Sequence, residues 1–453
     1  MSAKKISNAV IMVLAAVSFL SLNSFAQNST PGKYDEFVHK VLPNGLELII
    51  KYNPDSRVFA VNILGKNRSA NEPDGKDGIT DFVNRMMLQG AAGLDATAIQ
   101  QGLDDIGAEI TANDNPYIPY DDRYTNRMFS FIKFETIDEY AYAGTNLLYK
   151  IISKPDFAEP EIEKTRKKVA GILGMSSGST YQACRDLWYK TIFDNHPFRK
   201  QEMGNMMTVA GFTRDDLVTY HRHYYAPNNL IMAVATNINP DTILHWLNAT
   251  FGTLPWSTES YPTIDPPSNP IGLKEVHKEL DKEQIYIYMG GILPGLNSPD
   301  AAAINMASVI ISSRMGLNLR EKQGLAYSVG MGTEFMPEFG WFVASMGTGY
   351  QNYDKAKPGM LAQINELKNT EPTAEELKKA QNSTWGSMLL ARASRINQAY
   401  YMCRNQFLGV GYDYEDDYIS KIRAVTPADI KRVVAAYFDT DNMVIATAGK
   451  KIQ

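Results

Sequence analysis

The segment Gly78 to Gly90, GITDFVNRMMLQG, concentrates several side chains with chemistry to offer in this 453-residue sequence. Asp81, Asn84 and Arg85 stand at i, i+3 and i+4, so on a helix they share one face. Asp81 can ligate a metal. Asn84 cannot accept a proton as a general base, and Arg85 keeps its charge at any ordinary pH and offers no lone pair. The face is therefore either a fragment of a metal site or an i,i+4 ion pair on an amphipathic helix, worth roughly 0.2–0.5 kcal/mol. A second set lies in SSRMGLNLREKQGLAYSVGMG, Ser312 to Gly332. Gly324 suits the residue that ends a helix, which puts Arg320 in the last helical turn and Tyr327 on the strand that follows, both able to point into one cavity. The plain alternative is a solvated helix end and an ordinary strand. Elsewhere the chemistry thins out. His221 and His223 are two apart and fall on different helix faces, which suits packing or surface roles better than metal binding. His196 precedes Pro197 in a loop, and His39, His245 and His277 have no acidic or His neighbour at ligand spacing. Gly340 to Gly347 lacks the lysine and helix start of a phosphate loop.

The order VLPNGLELII (Val41 to Ile50), GKNRSANEPDGKDG (Gly65 to Gly78) and then GITDFVNRMMLQG resembles the opening of the pitrilysin/insulinase family of inverted-motif zinc peptidases. In that family the helix carries H-x-x-E-H: two His hold Zn²⁺ and the Glu takes a proton from the metal-bound water. The resemblance sets Asp81, Asn84 and Arg85 on those three positions. It sets Ile172, in PDFAEPEIEKTRKKVAGILG (Pro155 to Gly174), on the Glu that is the family's third ligand. It thus implies a degenerate zinc site, no cofactor in this chain, and zinc in a partner subunit. Ser312 to Gly332 is similar to the family segment whose Arg and Tyr, seven residues apart, reach the substrate across a chamber. Arg320 and Tyr327 take those places, and the implied role is substrate binding with hydrogen bonds to a scissile carbonyl oxygen as it becomes negative. Family members pair αβ units, two facing two around the chamber, so a chain with two units implies a zinc-bearing homologous partner or a self-dimer. The function implied is a non-catalytic subunit of an exported two-chain zinc metalloendopeptidase acting on unfolded peptides. The alternatives are a structural or peptide-binding scaffold without hydrolytic role, and a free-standing peptidase with another metal set that includes Asp81. Peptide docking by strand addition would use a sheet edge near Ile106 to Ala112, IGAEITA.

The elements that must position these residues come in duplicate. FTRDDLVTYHRHYYAPNNLIMAVATN (Phe212 to Asn237) parallels VTPADIKRVVAAYFDTDNMVIATAGK (Val425 to Lys450), with Thr213, Asp216, Leu217, Tyr224, Asn229 and Ala233 each 213 residues before Thr426, Asp429, Ile430, Tyr437, Asn442 and Ala446. A second match sets AEPEIEK (Ala158 to Lys164) against TAEELKK (Thr373 to Lys379). In each copy a Thr N-cap with an acid three residues on opens a helix, and a turn leads into an aliphatic strand. Helices are expected at Asp138 to Ser153, Pro160 to Leu173, Ala374 to Ala393 and Tyr414 to Ala424. Strands are expected at Leu46 to Lys51, Phe59 to Leu64, Gln284 to Met289 and Gly340 to Met346. The reading is an α+β fold of two homologous αβ domains, 27–253 and 273–453, each a mostly antiparallel sheet with helices on one face, forming a half-shell. The Pro-rich segment 254–272 is the linker.

Composition sets the surroundings. Lys4 and Lys5, an apolar run from Ala9 to Leu22 and Ser24-Phe25-Ala26 read as a signal peptide over residues 1–26, predicting export to a bacterial periplasm without a membrane anchor. Two cysteines, Cys184 and Cys403, make no disulfide scaffold, so the fold rests on a core drawn from 44% hydrophobic residues. A net charge of −5 with no basic block gives no footprint for nucleic acid.

Overall fold

The computed structural model describes residues 36–113 and 126–450; the leader expected at 1–26 lies outside them. From Phe37 onward the chain packs as one compact unit built on two main sheets. The first contains β1 (Phe37–Val41), β2 (Glu47–Tyr52), β3 (Val58–Gly65), β4 (Glu109–Thr111), β5 (Ser130–Ile137) and β6 (Leu230–Thr236), in spatial order β1-β2-β6-β3-β5-β4. The second contains β7 (Lys274–Glu279), β8 (Gln284–Pro294), β9 (Ala326–Phe335), β10 (Phe339–Gly349) and β11 (Val444–Gly449), in order β9-β10-β8-β11-β7.

Removing β1 makes the two sheets the same object. β2 runs parallel to β6 as β7 does to β11, and every other pairing is antiparallel in both. The strand β6, with its paired Leu64↔Ile231 register, matches β11 at the offset seen in the sequence. The expected strands appear, and β8 and β10 run longer than their apolar runs suggested. At the edge anticipated near Ile106 to Ala112 stands β4, which among the described residues pairs on one side only.

The helices named below are α1 (Ile79–Met87), α2 (Ala141–Ser153), α3 (Glu159–Ser176), α4 (Thr180–Ile192), α5 (Arg214–Tyr224), α6 (Ala301–Met315), α7 (Tyr353–Asn369), α8 (Ala374–Ala391), α9 (Arg395–Phe407) and α10 (Pro427–Tyr437). Both predicted capping boxes form: Thr213 and Asp216 open α5, Thr426 and Asp429 open α10. Each satisfies helix-start N–H groups that would otherwise lack partners. Phe59, Val61 and Ile63 of β3 bury against Phe82 and Met86 of α1, Leu148 of α2 and Leu217 of α5. Ile287 and Met289 of β8 bury in the same way against Ile304 of α6, Met360 of α7 and Ile430 of α10.

One feature goes beyond helices on a single face. The opposite face of each sheet is covered by one helix from the other half of the chain: α4 lies on β11, β8 and β7, while α9 lies on β3 and β6. Trp188 of α4 donates from Nε1 to Val444 O at 3.1 Å, and Cys184 from Sγ to Ala446 O at 3.1 Å. Cys403 of α9 reaches Ile231 O at 3.5 Å. Strands with both faces covered lose the alternation of buried and exposed residues, as β6 does by being buried at every position. Segment 254–272 forms no helix or strand and is held by first-half side chains: Asn228 Nδ2 donates to Ser257 O at 3.1 Å and Asn67 Nδ2 to Pro262 O at 2.9 Å.

Candidate functional site

Helix α1 begins at Gly78, whose φ of +83° favours glycine and whose Cβ position lies 2.2 Å from Gly204 N, so no side chain fits there. With no side chain to cap the helix, Glu72 does it from outside. Its carboxylate accepts from Gly78 N at 3.0 Å, Thr80 N at 3.3 Å and Thr80 Oγ1 at 2.7 Å, a negative charge placed where the helix dipole favours one. Burial pushes the Glu72 carboxyl upward, against the pull of Arg68 and these hydrogen bonds.

One turn on, the three positions of the degenerate site share a face as predicted, but the face is not on the surface. Asp81 and Arg85 are 8% and 6% exposed. Arg85 grips both carboxylate oxygens, Nε to Oδ2 at 2.7 Å and Nη2 to Oδ1 at 3.1 Å. The i,i+4 ion pair thus forms as expected, but in a dry setting, where breaking one partner costs several times more than the few tenths of a kcal/mol of a surface pair. Asn84 is closed as well, donating from Nδ2 to Ala112 O at 2.7 Å and accepting from the Tyr225 hydroxyl. Ile172 is buried on α3, which packs against α1. Zinc does not fit this donor set: a guanidinium, an amide committed on both ends and a hydrocarbon leave Asp81 alone, and its two oxygens are taken.

Sequence reasoning missed Glu202, which anchors the neighbourhood. It accepts from Arg127 Nη1 and from Arg185 Nη2 at 2.7 Å, while its backbone oxygen accepts from Arg68. Arg68 in turn sits 3.6 Å from Glu72. Burial acts to raise the Glu202 pKa, but Arg127 and Arg185 outweigh it and hold it at about 2. A buried ladder of charges thus ties the start of α1 to Arg185 on the exchanged helix α4. No local pattern reveals it, since the partners lie far apart in sequence. Of the histidines, His221 is a packing residue, with Nε2 2.8 Å from Ile152 O and its pKa lowered by burial to about 4.

The other site residues behave oppositely. α6 runs on into a π-helical turn, Gly316–Glu321, that carries Arg320, and Gly324 at φ +62° ends it, its N–H donating to Arg320 O at 3.0 Å. Tyr327 is the extra residue of a β-bulge: Ala326 pairs with Thr348 and Ser328 with Gly347. Such turns and bulges redirect side chains. Here they set the Arg320 guanidinium 5.8 Å from the centre of the Tyr327 ring. The two residues come together as expected, yet not inside a cavity of this chain. Arg320 is exposed and Tyr327 is 91% exposed, because β9 is an edge strand and the bulge turns its start outward.

Comparison with known proteins places this geometry. Residues 48–204 match the family model described as insulinase, peptidase family M16, and residues 211–384 the model described as peptidase M16 inactive domain. The chain belongs to the insulinase family. Two similar family proteins, both named as uncharacterized zinc proteases, come from Bacillus subtilis and Rickettsia felis. Each is 23% identical, over 402 and 355 residues, covering 88% and 78% of this chain and 95% and 82% of their own. Among solved structures, the peptidase M16 inactive domain from Pseudomonas fluorescens and a protease from Helicobacter pylori both superpose at a TM-score of 0.83 with 18% identity. They cover 92% and 91% of this chain and 98% and 99% of their own. The periplasmic protease PqqL from Escherichia coli superposes at 0.77 with 12% identity, over 92% of this chain and 46% of that one. These likenesses establish the two-domain M16 fold. The chain is a peptidase-like M16 protein of the inactive type.

Proposed function

We propose that this insulinase-family chain is the non-catalytic subunit of an exported two-chain zinc endopeptidase acting on unfolded peptides. The observation that carries this reading is the contrast between its two sets of site residues. The metal face is sealed by Asp81, Arg85 and Asn84, whereas Arg320 and Tyr327 stand paired and open to solvent. Side chains exposed in this way serve a site completed by another molecule. A partner chain of the same family supplies zinc and the general base; a second copy of this chain, with the same sealed face, cannot. This chain closes the chamber and supplies two hydrogen-bond donors to the carbonyl oxygen as it gains charge. Lys4, Lys5 and the apolar run behind them support export, and no helix among the described residues is long and apolar enough to cross a membrane.

The test is kinetic, on the complex reconstituted with a zinc-bearing homologue at matched zinc occupancy. Arg320→Ala and Tyr327→Phe are expected to leave assembly and zinc content intact and to lower kcat by about 10²-fold, with a smaller change in KM. Wild-type turnover in both variants reduces the chain to a scaffold. One zinc per isolated chain together with chelator-sensitive peptidase activity would overturn the reading altogether.

A further inference from the structure

The segment 254–272 that joins the two halves contains the one Asp-Pro bond of the whole sequence, Asp265–Pro266, and a histidine is built against it. The ring of His196 is wedged among Phe193, Phe198 and Phe339, whose ring centres lie 5.2, 4.6 and 5.5 Å away. Phe198 N donates to its Nδ1 at 3.1 Å. The neutral ring therefore carries its proton on Nε2, and Nε2 donates to the main-chain oxygen of Asp265 at 3.0 Å. Burial lowers the His196 pKa, which favours this neutral form. The bond itself is held in place: Ile264 packs against the cluster that includes Phe198 and Phe339, and Asn67 Nδ2 donates to Pro262 O at 2.9 Å. The Asp265 residue is exposed. Three features of a self-cleaving bond thus meet here. The carboxyl is tethered to the carbonyl carbon it would attack, and such intramolecular reactions gain effective concentrations far above any reached in solution. The leaving nitrogen belongs to a proline, a tertiary amide without an N–H. A fixed donor already touches the oxygen that gains negative charge when the carbon becomes tetrahedral.

We propose that the chain cleaves itself between Asp265 and Pro266 and persists as two fragments in one particle. The Asp265 carboxylic acid adds through one oxygen to its own main-chain carbonyl carbon, closing a five-membered ring. The carbon–nitrogen bond to Pro266 then breaks, and the carboxyl proton leaves on the proline nitrogen. Water opens the resulting cyclic anhydride, so one water is consumed and nothing is oxidised or reduced. His196 ends as it began, a hydrogen-bond donor to the reacting oxygen. The fragments stay together because α4 precedes the cut yet covers the second sheet, while α9 follows it yet covers the first. This activity needs neither zinc nor a partner chain, and is independent of the subunit role proposed above.

Incubation of the purified chain in mild acid, at about pH 5, where carboxyl groups begin to take up protons, followed by intact mass measurement, tests this. Two fragments are expected, one ending at Asp265 and one beginning at Pro266, formed at least about 10-fold faster by the folded chain than by the chain unfolded in urea. Asp265→Ala is expected to abolish the cut. His196→Ala is expected to slow it about 10²-fold, and His196→Gln, which keeps a side-chain N–H, to recover part of the rate. Asp265 lies on an exposed segment, so its variant decides the matter even where His196→Ala folds poorly. On gel filtration without denaturant the cut chain is expected to elute with the uncut one. A chain that stays intact, equal rates folded and unfolded, wild-type cleavage in either alanine variant, or a new N-terminus elsewhere each overturns self-cleavage at this bond. Fragments that separate on gel filtration overturn the single particle.

Discussion

The two halves of this chain repeat one αβ unit and treat its first long helix in opposite ways. In the first copy α1 buries Thr80, Asp81, Asn84 and Arg85, each matched by a partner at hydrogen-bonding distance. In the second copy α6, which likewise follows the central strand, buries Ala303, Ile304, Ala307, Ile310 and Ile311, and sends its polar groups out at its far end, where Arg320 meets Tyr327. The same scaffold thus hosts a polar seam closed on itself and a polar tip open to others. The lesson is that polarity inside a fold is no sign of activity once every group has been paired, while an unsealed pair on an edge is costly to explain by stability alone.

The sharpest way to break the comparison is to unpair the seam. Arg85→Ala leaves the Asp81 carboxylate buried and unmatched, and is expected to cost about 3–5 kcal/mol in urea unfolding, whereas Asp81→Leu combined with Arg85→Leu is expected to recover most of it. Equal, small losses in both variants would mean that the seam is wet. Next comes pH. His221 stands where the second copy has Val434. Its folded pKa of about 4 lies below the unfolded value, so the stability it confers is present above pH 6.5 and is lost as pH falls toward about 4. The loss is on the order of 2 kcal/mol, reduced from the full shift by the residue's partial exposure. Unfolding midpoints at pH 7.5 and 5 should differ, and the difference should shrink in His221→Leu. The capping boxes test whether the copies are energetically alike: Thr213→Ala and Thr426→Ala should each cost about 1 kcal/mol. Smallest of all, Arg320→Ala and Tyr327→Phe should shift stability by less than about 0.5 kcal/mol, as exposed side chains do.

Much of this was legible in the sequence because it is written locally. The capping boxes, the offset between copies, the aliphatic strands and the i,i+4 relation of Asp81 to Arg85 all depend on neighbours within a few residues. So does the end of the Arg320 turn at Gly324. What could not be read is what covers what. Asp81 and Arg85 look like a surface pair until Ala112 and Tyr225, from distant parts of the chain, close over the adjacent Asn84. Glu202 lies in a loop without periodicity, and its partners Arg127 and Arg185 are brought to it only by packing. The bulge at Tyr327, which turns the residue outward rather than into a cavity, depends on its register against β10.

The exchange of α4 and α9 also sets a timetable for folding. The face of β3 and β6 is complete in sequence once Thr236 has been made, but the helix that seals it ends at Phe407. About 170 residues of chain lie between the two, so neither half can ripen alone: each sheet keeps one aliphatic face bare until the helix from the other half docks on it.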